Sequence, residues 1–266
     1  EGYRLTRPLE WLDAGIILSA LDPELVERVS RLSVLEETDS TNAWVQRQPE
    51  PGTIVALAEA QRAGRGRRGR SWQSPPCAGV WLSVRQAFED GVRALGLLGL
   101  TTAVASARAV ESCAGVEVGL KWPNDLIIEG RKLGGILVEL GGEAEGPCQA
   151  VIGVGINIYP PGAASLAQPA AGLAEYAPTV ERNALAAALI NRLLPAFESL
   201  GAGSAATVLE DWRNRDVLVG RAVTVATGSE RLSGQCRGIS DRGGLLMRTA
   251  SGEREFLSAE VSVRHG

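Results

Sequence analysis

Two near-continuous apolar runs, LGGILVEL at 133–140 and AVIGVGINI at 150–158, stand either side of the segment GGEAEGPC. Strands with so few polar positions must be covered on both faces, and the glycines and proline between them mark a turn. The pair therefore reads as two adjacent central strands of a sheet, around which everything else has to be arranged. TIVALAE (53–59) and VWLSV (80–84) read as further strands, flanking a Gly/Arg-rich loop. The spacing predicts helices over Arg93–Cys113, the longest such pattern, and over Asn183–Leu200.

Apolar spacing from Leu9 to Val29 is also helical but breaks at Asp22-Pro23, which predicts two short helices with Pro23 at a first helical position. From Val217 to Arg264 short alternating runs (AVTVAT, GLLMRT, REFLS, EVSVR) predict a small all-β barrel. Residues 159–178, rich in small residues and proline and without a clean period, read as a mobile loop. At 266 residues, one catalytic body with a smaller appended domain is the expected organisation. No apolar run reaches transmembrane length and the first residues lack a signal-peptide core, which predicts a cytoplasmic protein.

Counts then restrict the chemistry. The net charge is −4, so binding of phosphate or nucleic acid must come from a local basic cluster. Four cysteines (77, 113, 148, 236) have no C-x-x-C spacing and no neighbouring histidine, the wrong pattern for zinc or a disulfide framework. The single histidine is His265, beside the chain's last residue, so Ser-His-Asp and Cys-His chemistry is not expected. A reaction here would rest on positioning and electrostatics.

The segment QRAGRGRRGRSWQSPPCAGVWLS (61–83) carries five arginines among residues 62–70. Gly64, Gly69, Arg70 and Ser71 nearly spell a Walker A loop, but arginine replaces its lysine and Pro75-Pro76 prevents the helix that should follow. Glycines allow close backbone approach to a phosphate while arginines present fixed, permanently charged forks. Gly/Arg repeats also occur in disordered nucleic-acid-binding segments, and surface loops are charged by default. Flanking strands argue against the first of these, and an anionic ligand is the leading reading.

KWPNDLIIEGRKLGGILVEL (121–140) places a Trp-Pro-Asn-Asp turn between apolar strands. Alone it reads first as an ordinary β-hairpin. The functional reading gives Asn124 and Asp125 a polar positioning role and Lys132 an anion, with Gly134 and Gly135 leaving room beside the strand. In TDSTN (38–42), Asp39 or Ser40 caps a helix beginning at Asn42, or binds a ligand. Gly153-Val154-Gly155 lacks the third glycine of a dinucleotide fingerprint.

In order, ETDSTN (37–42), AGRGRRGRSW (63–72), KWPNDL (121–126) with RKLGGILVE (131–139), and GVGIN (153–157) resemble the motifs of biotin-protein ligases across nearly the whole chain. The resemblance implies an α+β fold: a mixed β-sheet flanked by helices, class II synthetase-like, with a small C-terminal SH3-like β-barrel. It implies a catalytic domain over 13–215 and the barrel over 216–266. Residues 1–12 resemble the last wing strand and linker after a winged helix-turn-helix, so an upstream DNA-binding domain is expected, as in the bifunctional ligase/repressor class.

By motif position, Ser40, Thr41, Asn42 and Gln61 would bind the biotin head group, with Arg65, Gly66 and Arg67 closing over it and Gly135 lining the site. Arg65, Arg67, Arg70, Trp72, Asn124 and Asn157 would bind ATP or the adenylate. Lys132, Arg67 and Asp125 would be catalytic, with Lys132 touching both the biotin carboxylate and the phosphate. Biotin, ATP and magnesium are implied, with the metal carried by substrate phosphates. So are a biotin carboxyl carrier protein of acetyl-CoA carboxylase as acceptor and a homodimer, with DNA binding only through an upstream domain. The tryptophan that covers adenine in repressor-type members is missing from 159–178. A lipoate-protein ligase and a biotinyl-adenylate-sensing regulator are the competing readings.

Overall fold

A computed structural model of the chain describes residues 9–89, 95–142, 147–162, 168–201, 205–227 and 230–263. The expected wing strand falls mostly outside these residues, as does His265. Helices α1 (Ala14–Ser19) and α2 (Pro23–Arg28) open the fold. Asp13 Oδ1 accepts a hydrogen bond from Ile16 N to cap α1, and Pro23 starts α2, as predicted. Then come β1 (Val29–Thr38), α3 (Thr41–Gln46), β2 (Thr53–Gln61) and β3 (Gly79–Phe88). Helix α4 (Leu98–Ala114) ends at Gly115, whose φ of 65° closes the helix without strain.

Strands β4 (Gly119–Lys121), β5 (Asp125–Ile128), β6 (Arg131–Gly142) and β7 (Cys148–Asn157) complete a sheet of order β1-β2-β3-β7-β6-β5-β4. Only β1 and β2 pair in parallel; the other neighbours are antiparallel, so the sheet is mixed. The two apolar runs are β6 and β7, adjacent and central as their composition requires. One face carries Val55, Leu57, Leu82, Val84, Ile152 and Val154 into the main core, with α4 and α5 (Arg182–Glu198) packed over it. The opposite face carries Ile54, Ala56 and Val151, which cluster with Val45 of α3.

Two elements went unread in the sequence. Strand β1 is the sheet's edge and is mostly only half-buried, so its mixed VSRLSVLEET lacks the apolar signal of a central strand. Helix α6 (Ala205–Arg215) buries only Leu209 and Trp212. Beyond it, β8 (Ala222–Thr227), β9 (Glu230–Ile239), β10 (Leu245–Thr249), β11 (Gly252–Phe256) and β12 (Glu260–Val263) form an antiparallel sheet of order β11-β10-β9-β8-β12. That sheet agrees with the expected SH3-like barrel. It is tied to the main body where Val217 N donates to Leu120 O and Trp122 Nε1 donates to Gly243 O.

A buried ion pair holds the start of the described chain. Arg182 and Glu59, each 3% exposed, meet at 2.8 Å. Glu59 also accepts from Leu12 N at 2.6 Å, while Arg182 Nε donates to Gly79 O at 3.0 Å. These extra bonds satisfy charges whose burial would otherwise be costly. Among the described residues no helix is long and apolar enough to cross a membrane.

At the joint between α6 and the C-terminal sheet, burial lifts the Asp216 carboxyl from the ordinary aspartate range to about 6, although its Oδ1 accepts from Leu218 N. An unfolded chain ionises this group first, so its contribution to stability falls as pH rises from about 4 to about 6 and stays low above that. Asp216→Asn keeps an oxygen for Leu218 and cannot ionise. It should raise the unfolding free energy by about 1–2 kcal/mol at pH 7, with the gain gone near pH 4. Denaturant titrations at the two pH values check this; an equal difference at both would refute it.

Candidate active site

Strand register builds the site as parallel rows on the α3 side of the sheet. Ala58, Trp81, Gly155, Gly135 and Asp125 lie side by side across β2, β3, β7, β6 and β5. The next row holds Ala56, Ser83, Gly153 and Leu137, and the one after that Ile54, Arg85, Val151 and Glu139. The glycines matter because of what sits on them. A Cβ on Gly155 would stand 2.8 Å from the Trp72 indole, and one on Gly153 would stand 2.4 Å from Asn42 Oδ1. On Gly135 it would meet Trp72 at 3.2 Å and the end of Lys132 at 3.4 Å.

The expectation for the glycines of β6 is corrected at Gly134 alone, since Gly135 lines the cleft. The room beside Gly135 receives Trp72 and Lys132, and a Cβ on Gly134 would meet Gly155 O at 2.6 Å, so that glycine serves close strand packing. The Gly153-x-Gly155 pair likewise clears space for two side chains of the same molecule. Trp72 lies edge-on to Trp81, with centroids 6.3 Å apart, and Lys132 Nζ stands 5.3 Å from the Trp72 ring centroid.

Ser40 occupies the N-cap position of α3, which begins at Thr41, but its side chain makes no capping bond. Asp39 accepts from Ser40 N at 2.8 Å and holds Arg47 through both oxygens, which keeps its carboxyl well below the usual range. The capping reading of these residues is therefore not realised. Thr41 N donates to Gln61 Oε1 at 2.8 Å, and Gln61 Nε2 donates to Ser74 Oγ at 2.7 Å. Buried Ser83 Oγ hydrogen-bonds Thr41 Oγ1 at 2.7 Å and Asn42 Oδ1 at 2.6 Å. Arg85, two residues on and on the same face, donates to the carbonyls of Val45 and Gln48 and so fixes the end of α3.

The Gly/Arg loop is a small hairpin without the helix a P-loop would need. Trp72 N donates to Gly64 O, Gly66 N donates to Arg70 O, and a short 3-10 turn spans Arg67–Gly69. Arg65 pairs with Glu139 at 2.9 Å. Arg67 reaches Ser258 Oγ, in the bend between β11 and β12, at 3.3 Å, and Arg68 reaches Ala226 O on β8 at 3.5 Å. Across the cleft, Lys132 Nζ donates to Asp125 Oδ1 at 2.5 Å, with the two side chains 22% and 14% exposed.

Asp125 Oδ2 accepts from Gln168 Nε2 at 3.1 Å, and Gln168 Oε1 accepts from Lys121 Nζ at 2.9 Å. Burial pushes the Lys121 ammonium below the ordinary lysine range, against the pull of Asp125. Asn124 Nδ2 donates to Ile136 O and Asn157 Nδ2 to Ala171 O, so both fasten backbone as well as face the cleft. The segment 168–171 runs beside Lys132, whose backbone bonds Pro169 O and Ala171 N at 2.8 Å each. Of the proline-rich stretch, 163–167 lie outside the described residues.

All fourteen residues that the resemblance assigned to the site line one cleft of about 1360 Å³, which the C-terminal sheet completes. Ser83, Lys121, Glu139 and Gln168 were not singled out. Lys121 and Glu139 stand inside the quoted motifs and Ser83 closes the quoted segment 61–83, whereas nothing in its sequence context marks Gln168. The cleft is basic on its loop side and along Lys121 and Lys132, with Asp125 between them, and its α3 end is neutral and rich in hydrogen-bonding groups. Such a place can hold a small polar head group at one end and a phosphate-bearing ester at the other.

Comparison with known proteins agrees with this arrangement. Residues 34–157 match the biotin/lipoate A/B protein ligase family and 218–264 match the biotin protein ligase C terminal domain. The bifunctional ligase/repressor BirA of Salmonella typhimurium is 36% identical over 99% of this chain and 82% of its own length. The biotin--[acetyl-CoA-carboxylase] ligase of Paracoccus denitrificans is 30% identical over 86% of this chain and 98% of its own. In fold, the biotin protein ligase of Aquifex aeolicus, solved with biotin and ATP, superposes with a TM-score of 0.74 over 89% of this chain and 100% of its own, at 24% identity. With the motifs in order, the cleft they converge on and these likenesses along nearly the whole length, the chain belongs to the biotin protein ligase family.

Proposed function

We propose that the chain activates biotin with ATP, forming biotinyl-5′-AMP and pyrophosphate, and then transfers biotin to a lysine of the biotin carboxyl carrier protein of acetyl-CoA carboxylase. The observation that carries this reading is the convergence in one cleft of the polar pocket at Ser40–Asn42 and Gln61, the Lys132–Asp125 pair and the arginine loop. The biotin ring system is neutral and takes hydrogen bonds, which suits the α3 end; the acid and the phosphates take charge, which suits the other.

In the first step a biotin carboxylate oxygen attacks the α-phosphorus, the bond from that phosphorus to the bridging oxygen breaks, and pyrophosphate leaves. Biotin is itself the nucleophile, so no histidine is needed. Lys132, Arg65, Arg67 and Arg70 offset the charge gathering on the phosphate oxygens, and Trp72 packs on the intermediate. Asn124, Asn157, Gly66 and Gly135 shape the walls. Magnesium would arrive on the nucleotide, carried by its phosphates.

In the second step the acceptor amine attacks the acyl carbon and AMP leaves. The amine must be neutral to attack. Once Lys132 turns toward the phosphate, Asp125 keeps its bond from Gln168 and presents a free carboxylate oxygen to receive or steer the proton. The reading assigns this work to residues 13–215, a supporting barrel to 216–266 and a linker to 1–12, in a cytoplasmic protein. Self-association through the edge of the sheet is part of it, β1 being ten residues long. Sequence-specific DNA binding would require an upstream winged helix-turn-helix.

Pyrophosphate release by the purified chain with ATP and magnesium, comparing biotin, lipoate and octanoate, tests the reading. Release should follow biotin alone, with biotinyl-AMP detectable by mass; release with lipoate would move the chain to the sister ligases. Lys132→Ala should lower the rate of adenylate formation about 10²- to 10³-fold with little change in the melting temperature, and a normal single-turnover rate in that variant would remove Lys132 from the chemistry. Gly155→Ala should push Trp72 off the sheet and slow adenylate formation by about tenfold or more; an unchanged rate and unchanged tryptophan fluorescence would show that the indole does not need its seat.

A further inference from the structure

The Arg65 ion pair ties the Gly/Arg loop to strand β6. Glu139 Oε2 accepts from Arg65 at 2.9 Å and from Asn42 Nδ2 at 2.8 Å, so one oxygen holds both the Gly/Arg loop and the first turn of α3. Asn42 is buried, and its other amide end is engaged by Ser83 at 2.6 Å. The amide is thus held from both sides, and its contact with Glu139 cannot be exchanged for another without unmaking a buried bond. Arg65, by contrast, is 42% exposed at its side chain and sits on a loop. One partner of the carboxylate is fixed and the other can leave.

We propose that Glu139 is a positioning residue that latches the Gly/Arg loop over the pocket, using buried Asn42 as its fixed anchor. It touches no reacting atom; it acts through Arg65, and its place on β6 opposite Val151 is set by strand register. When Arg65 is on the carboxylate the loop lies down across the cleft. When Arg65 turns to an anionic ligand, the loop loses this tie and the ligand replaces it. The latch therefore competes with the ligand for one guanidinium, and it holds the loop ordered before anything binds. This rests on the reading that the loop closes over an acyl-adenylate.

Glu139→Gln separates the two contacts, because a glutamine oxygen still accepts from Asn42 while the charge that draws Arg65 is gone. Limited trypsin digestion of the chain without ligand reads the latch directly, since the loop contains five cleavable arginines between 62 and 70. Cleavage there should speed up about five- to tenfold in Glu139→Gln and in Arg65→Ala at the remaining sites, and the double variant should be no faster than either. Dissociation of biotinyl-AMP, followed by chase with unlabelled ligand, should rise by a similar factor in Arg65→Ala, which takes the guanidinium from the ligand, and should not rise in Glu139→Gln, which removes only its competitor; a rise in Glu139→Gln equal to that in Arg65→Ala would overturn the competition.

Unchanged cleavage in both single variants, or fully additive effects in the double variant, would overturn the latch. Faster cleavage in a chain that forms no biotinyl-AMP would support the latch and refute the acyl-adenylate reading. Should Glu139→Gln fold poorly, Arg65→Ala breaks the same pair from its exposed side. Faster loop cleavage in that variant alone supports the latch, and an unchanged rate there overturns it.

Discussion

Trp72 can lie flat on the sheet because Gly155 and Gly135, neighbours across β7 and β6, have no side chains to hold it off, and Asn42 reaches Gly153 on the same terms. Much of the site rests on these close approaches. Trp72 closes the base of the arginine hairpin through Gly64 O, so seating its ring also sets where the hairpin stands. Lys132 packs beside the same ring, within reach of Asp125. Asn42 carries the hydrogen bonds that join α3 to β3 and β6. A methyl group at any of the three glycines would act on several functional groups at once, because they share one surface.

The electrostatic arrangement follows from what the chain lacks as much as from what it has. With its single histidine at position 265, outside the described residues, the cleft relies on lysines and on arginines, whose charge is permanent. Such groups suit a reaction in which the substrate supplies its own nucleophile and the protein must offset charge on phosphate oxygens. Asp125 keeps two lysines within a connected network, one directly and one through Gln168. It thereby limits the repulsion between like charges that an anion later relieves. The buried Arg182–Glu59 pair differs in being almost fully enclosed, and it ties down residues near the start of the described chain.

Much of the fold was legible from residues alone. Apolar runs marked β6 and β7, Pro23 marked the start of α2, and alternation marked the C-terminal sheet. Edge strand β1 was not legible, since a half-exposed strand shows no continuous apolar pattern, and neither was α6, which buries only two side chains. For the site, ordered motifs led to residues that do converge on one cleft. The same motifs misdirected the reading of Gly134, because a glycine shows that something approaches closely but not whether it is a ligand or the protein's own backbone.

By itself the sequence determined which segments must be buried on both faces, where the backbone could be approached closely, and that the chemistry would rest on fixed charge, because these depend on residue type and short-range spacing. Only the tertiary structure decided which polar groups share partners. Asn42 and Glu139 are 97 residues apart and Arg65 and Glu139 are 74 apart, yet they meet at one oxygen. That meeting depends on the register of β3, β7 and β6 and on the seat of α3 above them. Hydrogen bonds act over about 3 Å, and strand register, which no local pattern encodes, brings such distant positions within that range.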